Sequence, residues 1–164
     1  MIVDLIRNDL SRVASQGSVT TPRLFEIEAY RTLLQMTSTV EAEIDAETSL
    51  VDIFKALFPC GSITGAPKIR AMEIIHELES SPRGIYTGAI GYVTPQRDFC
   101  FNVPIRTITL NSSDKIAGPV TGQFGSGGGI IADSKADAEY RECLLKARFL
   151  TAPHPAFDLI ETML

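Results

Sequence analysis

Basic residues are in the minority: 15 Lys and Arg stand against 20 Asp and Glu, for a net charge of −5. A nucleic-acid binder needs clustered cations to neutralise phosphates, so that class is set aside. A local pocket on an acidic chain can still be positive, and a small anionic substrate stays open. Histidine is scarce as well. His76 and His154 have no partners at metal spacing, and two scattered histidines make no Ser-His-Asp or Cys-His arrangement. The three cysteines, Cys60, Cys100 and Cys143, form no Cys-x-x-Cys pair. That pattern sets aside a zinc site and a disulfide framework, and it reads as reduced thiols. No stretch reaches the ~20 apolar residues of a membrane span. The opening MIVDLIRNDLSR carries acids and bases too early for the apolar region of a secretory signal. The expectation is a cytoplasmic protein with neither nucleic acid nor membrane as a partner.

What is present fits one globular domain. The 164 residues suffice for a core, with a hydrophobic fraction of 45% and a charged fraction of 21%. Ile2, Leu5, Ile6, Leu10 and Val13 share one face of a helix expected over residues 1–14, and Arg7, Asn8, Asp9 and Arg12 fall on its surface side. Residues 23–44 suggest two extended segments. A helix over residues 49–58 is capped by Ser49 or Thr48 and ended by Pro59. A second helix is expected over residues 66–78, with Pro67 in its first turn. Strands are expected over residues 85–93, 99–110 and 116–124, and a last helix over 135–150. Adjacent strands with short turns pair antiparallel. The fold class is therefore α+β, with helices packed on a mostly antiparallel sheet.

Three features can carry chemistry. The loop Gly61-Ser62-Ile63-Thr64-Gly65-Ala66 precedes a helix, where free N–H groups and a partial positive charge suit a carboxylate. The same loop is equally a tight helix–helix connection with Thr64 as a cap. The run Gly125 to Gly129 lacks the Gly-Lys-Ser/Thr ending of a Walker loop and has no βαβ unit around it. What remains is close backbone approach to a small ligand, or a bulged turn that needs positive φ. In DSKADAEYRECLLKA, Glu139, Glu142 and Lys146 lie at i, i+3 and i+7 on one face. Two carboxylates a turn apart can share a divalent cation. They can also be a solvated face with a Glu–Lys pair worth only ~0.3 kcal/mol. Arg106, in the strand expected over 99–110, reads as edge protection or as a bidentate carboxylate clamp. Tyr86 begins a strand and is more often core than site.

Five stretches in order resemble the chorismate-using enzyme family: MIVDLIRNDLSR, FPCGSITGAPKIRAMEII, GIYTGAIGY, FNVPIRT and GSGGGIIADSKADAEYRECLLKA. They span about residues 1–150. GSITGAPK and FNVPIRT resemble the aminodeoxychorismate synthase branch, whereas anthranilate synthases more often show Gly-Thr-Leu-Ser-Gly at the first of these. The resemblance implies the anthranilate synthase-like chorismate-binding fold. It also implies amination of chorismate to 4-amino-4-deoxychorismate for para-aminobenzoate and folate synthesis, with Mg²⁺ as cofactor and a glutamine amidotransferase subunit supplying ammonia.

Position by position, Glu142 resembles a family Mg²⁺ ligand, with Glu139 a neighbouring acid of the metal site. Lys146, Tyr86 and Arg106 match positions that bind the substrate's carboxylates, and Gly127 and Gly129 match positions that offer backbone N–H groups. Ser62 matches a Ser/Thr beside the substrate, within the loop that also carries Thr64 and Gly65. Gln35 stands where many relatives have a His near the reacting ring.

In relatives, a Glu-bearing metal segment and a loop with an attacking Lys come before the stretch that MIVDL matches. The resemblance thus implies residues 1–150 as the C-terminal part of the chorismate-binding domain, inactive in isolation. PAFDLIETML resembles the start of an aminodeoxychorismate lyase domain, so residues 151–164 read as a linker into that domain in a synthase–lyase fusion. Two alternatives stand beside this reading: anthranilate synthase component I, and a non-catalytic remnant.

Overall fold

The computed structural model describes residues 2–30, 34–112 and 120–151. The chain divides into two compact units, Met1–Val103 and Pro104–Leu164. The lyase-like start expected over 151–164 lies, past Thr151, outside the described residues.

The first unit opens with helix α1, Ile2–Leu10. It ends four residues before the expected boundary. There the chain turns into an isolated bridge between Ala14 and Ile44, and the Ser15 N–H donates to the Glu43 carbonyl at 2.8 Å. Strands β1, Thr20–Ala29, and β2, Leu34–Glu41, pair antiparallel with register shifts between Thr20 and Glu26. Phe25 sits at such a shift with φ 55°, and its N–H finds the Ser38 hydroxyl at 3.0 Å instead of a ladder partner.

Helix α2, Leu50–Leu57, starts where the Ser49 hydroxyl accepts the Asp52 N–H at 3.1 Å, and it stops before Pro59. A single helical turn, α3, Gly61–Thr64, follows, and then α4, Lys68–Leu78. Pro67 caps α4 from outside rather than standing in its first turn. Strands β3, Ile90–Val93, and β4, Phe99–Asn102, form a hairpin. Arg97, in its turn, donates to the carbonyls of Ala46 and Thr48 at 3.0 Å each, which ties the hairpin to the approach of α2. The core of this unit is small. Ile53 and Ala56 on the inner face of α2 are buried, and Phe54 meets Phe101 edge-on with centroids 4.8 Å apart.

One expectation fails here. Helical periodicity places Asp9 on the surface of α1, yet it is the buried charged residue among the described residues of the unit, 4% exposed. Two partners too distant in sequence for periodicity to register, Gly61 and Lys68, hold it there.

The second unit holds strands β5, Ile108–Ser112, and β6, Val120–Phe124, as an antiparallel pair, and helix α5, Ala136–Thr151. The single strand expected over 99–110 is two strands. Pro104 offers no N–H to a ladder, and Arg106 adopts φ 53°, so the extended run breaks between Asn102 and Ile108. The α+β class and the antiparallel pairing hold. Among the described residues the strands form three two-stranded pairs rather than one sheet.

Candidate active site

The first unit builds a groove of about 610 Å³ from the loops around α3 and α4. Thr64, Met72, His76, Arg83 and Tyr86 are among its lining residues. Two of the sequence candidates, Thr64 and Tyr86, thus face one space. Gly65 makes the exit from α3 with φ 136°, and a Cβ there would stand 3.2 Å from Ala71 Cβ. Only glycine fits both demands. The Ser62 hydroxyl is exposed and lies 3.1 Å from the Cys60 thiol, while the Thr64 hydroxyl donates back to the Cys60 carbonyl at 3.2 Å.

The loop was expected to offer free N–H groups to an anion. N–H groups of the loop itself are taken internally, and the free N–H groups expected at the start of the following helix are not among them. The Ile63 and Thr64 N–H groups donate to the Cys60 carbonyl, and the Gly61 N–H donates to the Asp9 carboxylate. The carboxylate at this turn is the chain's own.

Tyr86 lies in a turn rather than at the start of a strand, between Gly84 at φ 60° and Thr87 at φ 62°. A β-branched residue at positive φ is strained and needs support. Arg83 supplies it: one nitrogen donates to the Thr87 hydroxyl at 3.2 Å, while others grip both oxygens of Glu79 at 2.8–3.2 Å. Those hydrogen bonds hold the Glu79 carboxyl below its ordinary range and raise Arg83. Gln35 lies apart, on β2 opposite Glu28, with its amide donating to the Met36 carbonyl at 3.2 Å; it is not among the residues lining this groove.

The second unit gathers Glu139, Glu142 and Lys146 on one face of α5. The Lys146 ammonium bridges Glu142 Oε1 and the Gly127 carbonyl, each at 2.8 Å. Glu139 Oε1 accepts the Ser134 hydroxyl at 2.6 Å, and Ser134 Oγ in turn accepts the Ile131 N–H. The Ser126 hydroxyl donates to the Cys143 carbonyl at 2.9 Å. Loop 125–129 is therefore strapped onto α5 at several points.

The bulged turn with positive φ is not what the glycine run forms, and the close approach seen there is to the chain's own Glu139 rather than to a ligand. None of its glycines has positive φ, while a Cβ on Gly128 would stand 3.3 Å from Glu139 Oε2. Gly127 engages Lys146 through its carbonyl rather than its N–H, and Gly129 faces open space. Arg106 is exposed on its bend, and no hydrogen bond or ion pair among the described residues holds its guanidinium. Sequence reasoning missed Asp9, Lys68, Arg83 and Ser134. For Ser134, a hydroxyl placed just before a helix start was an available signal.

Glu139 and Glu142 fit part of a divalent-cation shell, offering hard oxygen donors one turn apart. Among the described residues no group of three His, Cys, Asp or Glu side chains is placed to hold a metal ion. No helix among the described residues is long and apolar enough to cross a membrane.

Residues 1–152 match the model of the chorismate binding enzyme family, and the chain belongs to that family. More particularly, it is 46% identical over 142 residues to aminodeoxychorismate synthase component 1 of Escherichia coli K12, covering 87% of this chain and 30% of that protein. It is 45% identical over 148 residues to the aminodeoxychorismate synthase of Streptomyces pristinaespiralis, covering 90% of this chain and 20% of that one. The crystal structure of anthranilate synthase component I from Streptococcus pneumoniae TIGR4 superimposes with a TM-score of 0.74 at 36% identity, over 92% of this chain and 33% of that one. The chain thus spans a third or less of each of these relatives.

Proposed function

We propose that this chain contributes to an aminodeoxychorismate synthase, which replaces the 4-hydroxyl of chorismate by an amino group to give 4-amino-4-deoxychorismate. Ammonia comes from a glutamine amidotransferase partner, and the setting is cytoplasmic. The observation that carries the reading is the α5 face, where Lys146 bridges Glu142 and the Gly127 carbonyl beside Glu139. Chorismate is a dianion, and this face offers both a cation for a carboxylate and acids for a metal.

Glu139 and Glu142 would hold Mg²⁺, which supplies Lewis-acid polarisation at the ring carboxylate and assists departure of the hydroxyl. The remaining roles belong to the chain. Lys146, now paired with Glu142, would bind a substrate carboxylate. Arg106, with its guanidinium uncommitted, clamps a carboxylate through paired N–H groups. Each unit would bring substrate-binding groups of its own: the hydroxyls of Ser62, Thr64 and Tyr86 beside Gly65 in the first, and the open backbone of Gly127 and Gly129 in the second. Gln35 serves as a neutral hydrogen-bond donor and acceptor, not as an acid or base.

The similarity to anthranilate synthase component I at 36% identity favours a second reading, release of anthranilate from the same substrate. A chimera decides. This chain replaces the 142 matched residues of the E. coli relative. The chimera then receives chorismate, Mg²⁺ and ammonia. Formation of 4-amino-4-deoxychorismate is the expected result. Anthranilate would transfer the assignment, and no aminated product would overturn it. Glu142→Gln in the active chimera is expected to abolish Mg²⁺-dependent turnover.

A further inference from the structure

The buried charge pair of the first unit takes no part in the chemistry proposed above. Asp9 Oδ2 accepts the N–H of Gly61 at 3.2 Å, and Asp9 Oδ1 pairs with the Lys68 ammonium at 2.8 Å. Lys68 also donates to the Ala56 carbonyl at 3.4 Å, at the end of α2. Gly61 opens α3 and Lys68 opens α4. Everything between them is the turn that carries Ser62, Thr64 and Gly65. One carboxylate on α1 therefore grips that turn at both of its ends.

The fit is close. A Cβ on Gly61 would stand 3.0 Å from Asp9 Oδ2 and 3.2 Å from Leu5 Cβ. The Asp9 and Lys68 side chains are 6% and 14% exposed. Burying two charges is costly, and apolar side chains of similar size often fill such a place at equal or better stability. A pair retained at that cost and joined to both ends of one segment fixes the shape of the segment.

We infer that Asp9 and Lys68 are positioning residues, which set the Ser62–Gly65 turn from beneath and act on substrate only through it. The inference rests on the reading of Ser62 and Thr64 as substrate contacts, but its first test does not.

Cys60 adjoins the turn, its thiol 3.1 Å from the Ser62 hydroxyl; Cys100 is exposed but lines one cavity with Asp9 and Cys60, Cys143 lies on α5 in the second unit, and both are also free. Alkylation of the three thiols in the full chain, resolved peptide by peptide, reports local opening at Cys60, with Cys143 as the remote reference and the already exposed Cys100 as the neighbour. Asp9→Ala and Lys68→Met are expected to speed alkylation of Cys60 about tenfold, as local opening, with the Cys143 rate unchanged and the exposed Cys100 changed far less than Cys60. Asp9→Asn, whose amide oxygen still accepts the Gly61 N–H, is expected to fall between them and the parent. Equal acceleration of all three thiols would show a merely structural pair and overturn the inference, as would an unchanged Cys60 rate.

In the E. coli chimera, Asp9→Ala is expected to lower kcat by about a hundredfold, the scale of a small misplacement of substrate-orienting groups. Asp9→Asn should restore much of it. A parent chimera without turnover would sink the functional reading while the alkylation result still decides this one.

Discussion

Each unit of this chain contains a lysine bound to a carboxylate at 2.8 Å, and the two pairs are otherwise unlike. Asp9–Lys68 joins two helices distant in sequence and is 6% and 14% exposed. Glu142–Lys146 lies one turn apart on a single helix, with side chains 55% and 32% exposed. Each pair also has a glycine pressed against its neighbourhood: Gly61 on the Asp9 carboxylate, and Gly128 on the carboxylate of Glu139 beside Lys146. The same contact distance therefore describes a fixed joint in one place and an exchangeable one in the other. A substrate or an ion can displace a carboxylate that water already reaches. It reaches far less readily one that is 6% exposed and already held by both Gly61 and Lys68.

Deleting one partner from each pair should separate the two most widely. Asp9→Ala leaves the Lys68 charge buried and the Gly61 N–H without its acceptor, a loss of about 3–5 kcal/mol for a buried pair. Urea denaturation of the chain measures it. The double substitution Asp9→Leu with Lys68→Met is expected to recover part of that loss, because no charge is then stranded. A single-variant loss below about 1 kcal/mol, the range of an exposed pair, would erase the distinction.

Next in size is Gly61→Ala. The added methyl meets a carboxylate oxygen at 3.0 Å that is itself held by Lys68, and the Leu5 side chain at 3.2 Å. Neither can retreat freely, so overpacking should cost about 1–3 kcal/mol. Denaturation midpoints at constant m-value would register it. An unchanged midpoint would show that α1 yields more readily than its buried contacts suggest.

How much of this was legible beforehand depends on the range of the interactions. Helices α2 and α5 follow from local signals: an apolar stripe behind a Ser cap, and the i, i+3, i+7 spacing that sets Glu139, Glu142 and Lys146 on one face. The break between β4 and β5 was signalled by Pro104, although the apolar run around it reads as one strand. Asp9 was not legible. Periodicity sorts apolar from polar positions, and nothing local tells a solvated aspartate from one whose partners lie 52 and 59 residues away. The placement of Tyr86 in a turn was partly legible from the flanking Gly84 and Gly88. The strain at Thr87 and its support from Arg83 were not, because both depend on side-chain geometry. The roles of the site residues came from resemblance, since spacing alone favoured a solvated α5 face.

Gly128→Ala should matter far less than Gly61→Ala. Its methyl would meet Glu139 Oε2 at 3.3 Å, the far end of a flexible side chain. The φ of Gly128 lies outside the left-handed region, so alanine also narrows the unfolded ensemble, which offsets the crowding. The net stability change is expected within about 0.5 kcal/mol. A loss as large as that at Gly61 would mean that the glycine loop is as rigidly seated as the α3 turn.

The smallest effect on stability should come from Glu142→Gln, the same substitution expected to abolish turnover. An exposed i,i+4 pair contributes about 0.3–0.5 kcal/mol, and Lys146 keeps its bond to the Gly127 carbonyl when the acid is gone. Salt sharpens the contrast further. At 1 M the screening length falls to about 3 Å, so the difference between parent and Glu142→Gln should vanish. Buried charges are screened much less, and the difference between parent and Asp9→Ala should survive. Denaturation of the three proteins at low and high salt reads both effects in one experiment. Persistence of the Glu142 difference at 1 M would place that carboxylate in a tighter environment than its exposure indicates, and would remove the ground for treating its bond to Lys146 as one that substrate and ion exchange.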